Sequence, residues 1–213
     1  MRMSVPTPTA EPLPFLAGDD QTTGSNPQPK RPALPLRSDA IARFDALLHE
    51  LHPDAVRVDM DRMQHLLDWL LTLPDANAHD VLDRRLRRVD ELRVMLADPD
   101  WDADEAMRAR LGKLFAYIDR DDDLIADHEP LLGLLDDVLL IELAWPAFAD
   151  EAEDYRDFCG YRSVEHPPGS PADQRAAWVR DRMAEIALWQ HRLRVNDSHY
   201  VHRGHPETLF RVG

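Results

Sequence analysis

Apolar residues recur every three or four positions over most of the chain, the period of a helix with one buried face. Ile41, Phe44, Leu48 and Leu51 form one such stripe, with Ser38 placed to cap its start and Pro53 to end it. Met60, Met63, Leu67, Leu70 and Leu71 form a second that runs to Pro74, and Leu82, Leu86, Val89 and Leu96 a third, from about Asn77 to Asp98. Asp100 or Asp102 can cap a fourth helix, whose inward line is Met107, Leu111, Leu114, Phe115 and Ile118. Beyond an acidic loop at 119–123, a long helix is expected from Pro130 to Asp150, bent or ended at Pro146, followed by a polar helix from Glu151 to Phe158. Gly160 and the run His166 to Pro171 interrupt the pattern; Val179, Met183, Ile186 and Leu193 then resume it, with Trp178 and Trp189 alongside. That last helix is expected to pack back on the others. No stretch alternates as a strand does, and no period of 20 to 50 residues recurs. The expected fold is therefore all-α, a bundle of six or seven helices spanning 38–195.

The two ends read differently. Residues 1–37 hold eight of the 17 prolines and carry no apolar period, which predicts a disordered arm. Its P-x-x-P spacings are commonplace in such segments. Residues 196–213 read as a polar, histidine-rich tail, in which His199, His202 and His205 have a spacing that could face a metal but fits a solvated terminus better.

Composition narrows the function. Of 213 residues 44% are apolar, enough to bury a core without disulfides or a structural metal. Forty acids against 25 bases give a formal charge of −15, which disfavours nucleic acid and anionic lipid as partners. The basic cluster Arg84, Arg85, Arg87 and Arg88 is then expected to pair with the protein's own acids. The lone Cys159 allows no internal disulfide, and the opening residues lack an apolar signal segment, so a cytoplasmic protein is expected. The stretch Leu131 to Ala149 is long enough for a membrane span, yet Asp136, Asp137 and Glu142 interrupt it, which makes it a core helix instead.

One segment stands apart. Asp119, Asp121, Asp122, Asp123, Asp127, Glu129, Asp136 and Asp137 place eight carboxylates beside a single base, Arg120, between apolar helices. Carboxylates so close repel unless water, an arginine, a helix N-terminus or a cation compensates them. Asp123 and Asp127 can each cap a helical turn, and Pro130 is tolerated in the first turn after them. Asp136 and Asp137 lie inside an apolar helix, where at least one must turn inward and meet an arginine, an amide or a metal.

The run from 121 to 137, with Asp123-Leu124-Ile125-Ala126-Asp127 followed by Pro130-Leu131-Leu132-Gly133-Leu134-Leu135-Asp136-Asp137, resembles the YkvA-like family of small helical domains of unknown function. That family's pattern is Pro-Ile-Asp-Leu-Ile-Pro-Asp-Phe-Ile-Pro-x-x-Gly-x-x-Asp-Asp. The resemblance implies a compact helix–turn–helix at about 107–149 and, from the family's habit, a membrane-associated hairpin. Asp121, Asp122, Ala126, His128 and Glu129 depart from the pattern, and the polar turn they create weighs against that association.

Two functions follow from different classes. The first is a non-catalytic interaction or adaptor module whose acidic turn, with all eight carboxylates, is an ion-pair centre or a docking face for a basic protein; no nucleophile–base pair argues for an enzyme. The second is a phosphate-handling hydrolase or transferase in which Asp123, Asp127, Asp136 and Asp137 hold Mg²⁺ or Ca²⁺. The first is preferred, because as a calcium loop the segment has Leu124 where a glycine belongs and Pro130 where a bidentate glutamate belongs.

Overall fold

The computed structural model describes Leu13 and residues 36–120, 124–125 and 132–201, with side chains as far as Asn196. Of the proline-rich arm Leu13, Leu36 and Arg37 fall among these residues, and the side chain of Leu13 is enclosed at 1% exposure. The remainder of that arm, and the tail with His202 and His205 and the side chain of His199, lie outside the described residues.

The described residues form seven α-helices and no strand. They are α1 (Ser38–Leu51), α2 (Met60–Leu70), α3 (Asp75–Ala97), α4 (Glu105–Ile118), α5 (Leu135–Ala144), α6 (Ala149–Glu165) and α7 (Pro171–Val201). The described residues divide into two compact units, one ending at Arg156 and one beginning at Asp157, so the division falls inside α6.

Within the first unit α5 is the centre. It lies against α1, α3 and α4, which in turn touch one another, α1 against α4 and α3 against α4. Its residues are buried on every side, Val138, Leu139, Leu140 and Ile141 completely, as expected of a helix with no polar face. The surrounding helices each turn one stripe to it: Phe44 and Leu48 from α1, Leu82, Val89 and Leu92 from α3, Leu111 and Leu114 from α4 are all buried.

Several boundaries differ from the sequence-based expectation for physical reasons. The helix expected from Pro130 to Asp150 is instead a single 3-10 turn at Leu132–Leu134, the ten-residue α5, and a second 3-10 turn at Trp145–Ala147. Pro146 has no amide to continue the ladder, so the chain tightens there and α6 begins afresh. The cap of α4 is Asp104, whose carboxylate accepts the Met107 amide at 2.6 Å; Asp100 and Asp102 precede it in the loop. Gly160 does not interrupt α6, which runs through it to Glu165.

The first part of α6 is tied to the end of α3 and the loop after it. Trp101 Nε1 donates to Glu151 at 2.9 Å, Tyr155 OH donates to Asp98 at 3.0 Å, and Arg156 meets Glu91 at 2.7 Å. The Trp101 and Tyr155 rings meet edge to face at 5.5 Å.

The loop between α1 and α2 is pinned by Asp45. Its carboxylate accepts the Val58 amide at 2.8 Å and Arg57 Nη1 at 2.6 Å, with His49 Nδ1 3.5 Å away. Burial pushes this carboxyl upward, but the Val58 amide, Arg57 and His49 together outweigh it and hold the group below its ordinary value of 3.8. A carboxyl that is the stronger acid when folded stabilises the fold above the unfolded value, and that contribution disappears as pH falls through the lower, folded value. Asp45→Asn is therefore expected to flatten the acid limb of the stability–pH curve below about pH 4, which denaturant titrations on the variant and the parent at successive acid pH values would measure.

In the second unit a tight loop joins α6 to α7. Gly169 has φ 104, a conformation that disfavours any side chain, and a Cβ there would stand 2.9 Å from Asp173 Cβ. Ser170 and Asp173 cap each other: the Asp173 carboxylate accepts the Ser170 amide at 3.0 Å while Ser170 Oγ accepts the Asp173 amide at 3.3 Å. Pro171 then occupies the first turn of α7, where an amide is dispensable. Trp178 anchors the helix, its ring edge-on to Phe158 at 5.7 Å and its Nε1 donating to Asp157 at 2.7 Å. Val179, Met183, Ile186, Trp189 and Leu193, further along α7, were expected to face a core and are exposed instead, as is Leu188.

Candidate functional site

The acidic segment separates into outer and inner carboxylates. Asp119 ends α4 on the outside, with a side chain 59% exposed and an ion pair to Arg93 of α3 at 2.6 Å. Asp121, Asp122, Asp123, Asp127 and Glu129 lie outside the described residues. Asp136 and Asp137 open α5 and are enclosed, at 0% and 5% exposure. A docking face therefore cannot include these last two in this fold.

The surroundings of Asp136 explain why a carboxylate is tolerated among apolar helices. Its Oδ2 accepts the Tyr117 hydroxyl at 2.9 Å and the amides of Leu124 and Ile125 at 3.2 and 3.3 Å. Tyr117 projects from α4, where the edge of its ring meets Phe44 of α1 at 5.7 Å, so the packing between α1 and α4 aims the hydroxyl at α5. Ile125 is itself buried, which fixes the turn that supplies the amides. Both acids also sit in the first turn of α5, where the helix dipole favours negative charge. Asp136 thus joins three pieces of chain: the end of α4, the turn at 124–125 and the start of α5.

The arginines of α3 serve other acids. Arg84 pairs with Asp80 one turn earlier, and Arg93 with Asp119. Arg85 and Arg88 converge on Glu142 of α5: Arg85 Nε stands 3.2 Å and Arg88 Nη1 2.7 Å from Glu142 Oε2. The side chains of Arg85 and Glu142 are 3% and 9% exposed, so this pair is internal. Arg85 Nη1 also donates to the Val81 carbonyl at 3.0 Å, and the Arg88 guanidinium lies over the Trp145 ring at 4.8 Å. Burial pulls Arg85 below the ordinary guanidinium value, with Glu142 opposing that shift and Arg88 adding to it.

Glu142 is the member of this centre that sequence reasoning placed only as an obstacle to a membrane span. A signal for it exists. Arg85 falls on the same helical stripe as Leu82, Val89 and Leu92, so its side chain must enter the core and requires an acid there. Glu142, set among Leu139, Leu140, Leu143 and Ala144, is the acid that meets it.

The two buried centres, Asp136 with Tyr117 and Glu142 with Arg85, lie at opposite ends of α5 and tie it to α4 and α3. At its C-terminal end His52 Nδ1 is 2.9 Å from the Leu143 carbonyl, which only accepts, so this nitrogen carries the proton there. Among the described residues no three His, Cys, Asp or Glu side chains are gathered as a metal site would need. Of the four aspartates considered for Mg²⁺ or Ca²⁺, Asp136 and Asp137 are described and Asp123 and Asp127 are not. No helix among the described residues is long and apolar enough to cross a membrane. Comparison with protein-family models, with curated proteins and with solved structures found no match to this chain.

Proposed function

We propose that the protein is a non-catalytic, cytoplasmic interaction module built on a YkvA-like helix–turn–helix, in which the inner acids hold the turn and the outer acids receive a basic protein segment. The observation that carries this reading is the division of labour along the segment. Asp136 is occupied with Tyr117 and two amides, whereas Asp119 is exposed and bound only at the rim by Arg93. An exposed ion pair of that kind contributes little to stability, about 0–1 kcal/mol, so its exchange for a partner's arginine or lysine is inexpensive. The formal charge of −15 favours fast capture of a cationic partner.

The test is a titration of the full chain with an arginine-rich peptide, followed by calorimetry at low and at high salt. Binding should weaken about tenfold or more on moving to high salt, where the Debye length shrinks to a few ångströms, and should fall comparably in Asp119→Asn/Asp121→Asn/Asp122→Asn. Binding that ignores both salt and those substitutions would refute the acidic face. No binding to any basic peptide would refute the module itself.

A further inference from the structure

The exposed apolar side of α7 follows a heptad repeat. Taking Met183 as position a, the a and d positions are Ala176, Val179, Met183, Ile186, Gln190 and Leu193. Met183 is 62% exposed and Ile186 43%, and every described residue from Met183 to Asn196 is exposed. The helix is 31 residues long, about 46 Å. A helix that stands in water with its apolar line uncovered gains nothing from packing on that side, and packing is the main source of helical stability in proteins.

We infer that α7 is a dimerisation helix, covered by α7 of a second copy of this chain in an antiparallel two-stranded coiled coil. The choice of a second copy rests on the self-complementarity of the stripe when one helix is reversed. If Met183 of one copy faces Ile186 of the other, Ala176 faces Leu193 and Val179 faces Gln190, so the smallest residue of the stripe meets a large one at each end. In the same register Asp173 comes beside Arg194 of the second copy, an unlike pair formed twice by symmetry. The parallel alternative sets Ala176 against Ala176 and Leu193 against Leu193, and brings Arg175 next to Arg180, a like-charge clash also formed twice. Gln190, the one polar residue in the stripe, costs some stability and resists the other registers. Leu188 lies on the far side of the helix and takes no part. Trp178, held by Phe158 and Asp157, faces another direction and leaves the stripe open.

This inference is independent of the acidic turn. It predicts that sedimentation velocity of the full chain gives a species of twice 24.4 kDa, dissociating on dilution. Met183→Glu/Ile186→Glu, at two exposed positions, should shift all of it to the monomer mass with an unchanged circular dichroism spectrum. In a Cys159→Ser background, Ala176→Cys protein mixed with Leu193→Cys protein should form a disulfide-linked dimer on mild oxidation, while neither variant alone should. A wild-type monomer at all concentrations, or a dimer that survives Met183→Glu/Ile186→Glu, would overturn dimerisation through α7. Efficient self-linking of Ala176→Cys alone would overturn the antiparallel arrangement.

Discussion

Glu142→Gln is expected to destabilise the bundle by about 3–5 kcal/mol, the cost of leaving a buried charge without its opposite. Arg85 is the charge in question, since it has entered the core beside Leu82 and Val89 and meets Glu142 there. Arg88 would be less affected, because it is partly exposed and rests on the Trp145 ring. The loss should be larger than that from Arg85→Leu, which leaves Glu142 still paired with Arg88. Replacing both partners in Arg85→Leu/Glu142→Leu should recover most of the deficit, since apolar side chains of similar size often substitute for an internal ion pair at little cost. Urea unfolding of these proteins together with Glu142→Leu measures this directly; losses in Arg85→Leu and Glu142→Leu that simply add in the double variant would show that the pair does not act as a unit.

Asp136→Ala is the second large effect. The substitution removes the common acceptor of the Tyr117 hydroxyl and the Leu124 and Ile125 amides in a region closed to water. Buried donors without an acceptor cost about 1–3 kcal/mol each, and local opening relieves part of that, so a total of about 2–5 kcal/mol is expected. Tyr117→Phe deletes only one of the three bonds, one made to a charged group, and should cost about 1.5–3 kcal/mol. Because Asp136 is the acceptor of this bond, Tyr117→Phe should cost much less once Asp136 is alanine. A double-mutant cycle with a coupling near zero would remove the tyrosine from the centre. Hydrogen exchange offers a second readout: the amides of Leu124 and Ile125 should lose protection in Asp136→Ala before those of α5.

Much of the architecture was legible in the sequence because a helix advertises itself by period. Phe44 and Leu48, Met63 and Leu67, Leu82 and Val89, and Leu111 and Leu114 fall where their stripes put them, and all are buried. Ends were harder. Asp100, Asp102 and Asp104 are equally good caps by residue type, and only the Met107 amide within reach of Asp104 decides among them. Pro146 was visible as a break and a helix was expected from Glu151, but α6 begins earlier, at Ala149, directly after Phe148, which is buried in the core. Gly160 reads as a stop in isolation, yet a helix whose residues before and after it, Phe158 and Tyr161, are buried absorbs a glycine at a cost of about 1 kcal/mol.

The candidate site divides in the same way. The need for compensation around Asp136 was readable from an acid inside an apolar helix; the identity of the compensating group was not, because a tyrosine and two loop amides leave no charge signature. The arginines of α3 looked like partners for Asp136 and Asp137. Arg85 and Arg88 instead reach Glu142 two turns further along α5, a distance along the helix that composition does not encode. The exposed stripe on α7 was legible as a helix and misleading as core, since a heptad looks alike whether its cover comes from the same chain or another.

The central claim is that Asp136 is held through its Oδ2 by groups of the protein itself, the Tyr117 hydroxyl and the Leu124 and Ile125 amides. Its most direct test is the unfolding free energy of the parent chain and of Asp136→Asn, each measured in chelator and in excess Mg²⁺. With satisfaction by Tyr117 and the two amides, the parent keeps the same stability in both solutions and the variant loses the same amount in both. A parent that gains stability on adding Mg²⁺, with the gain abolished by Asp136→Asn, would contradict the claim and make the centre a metal site.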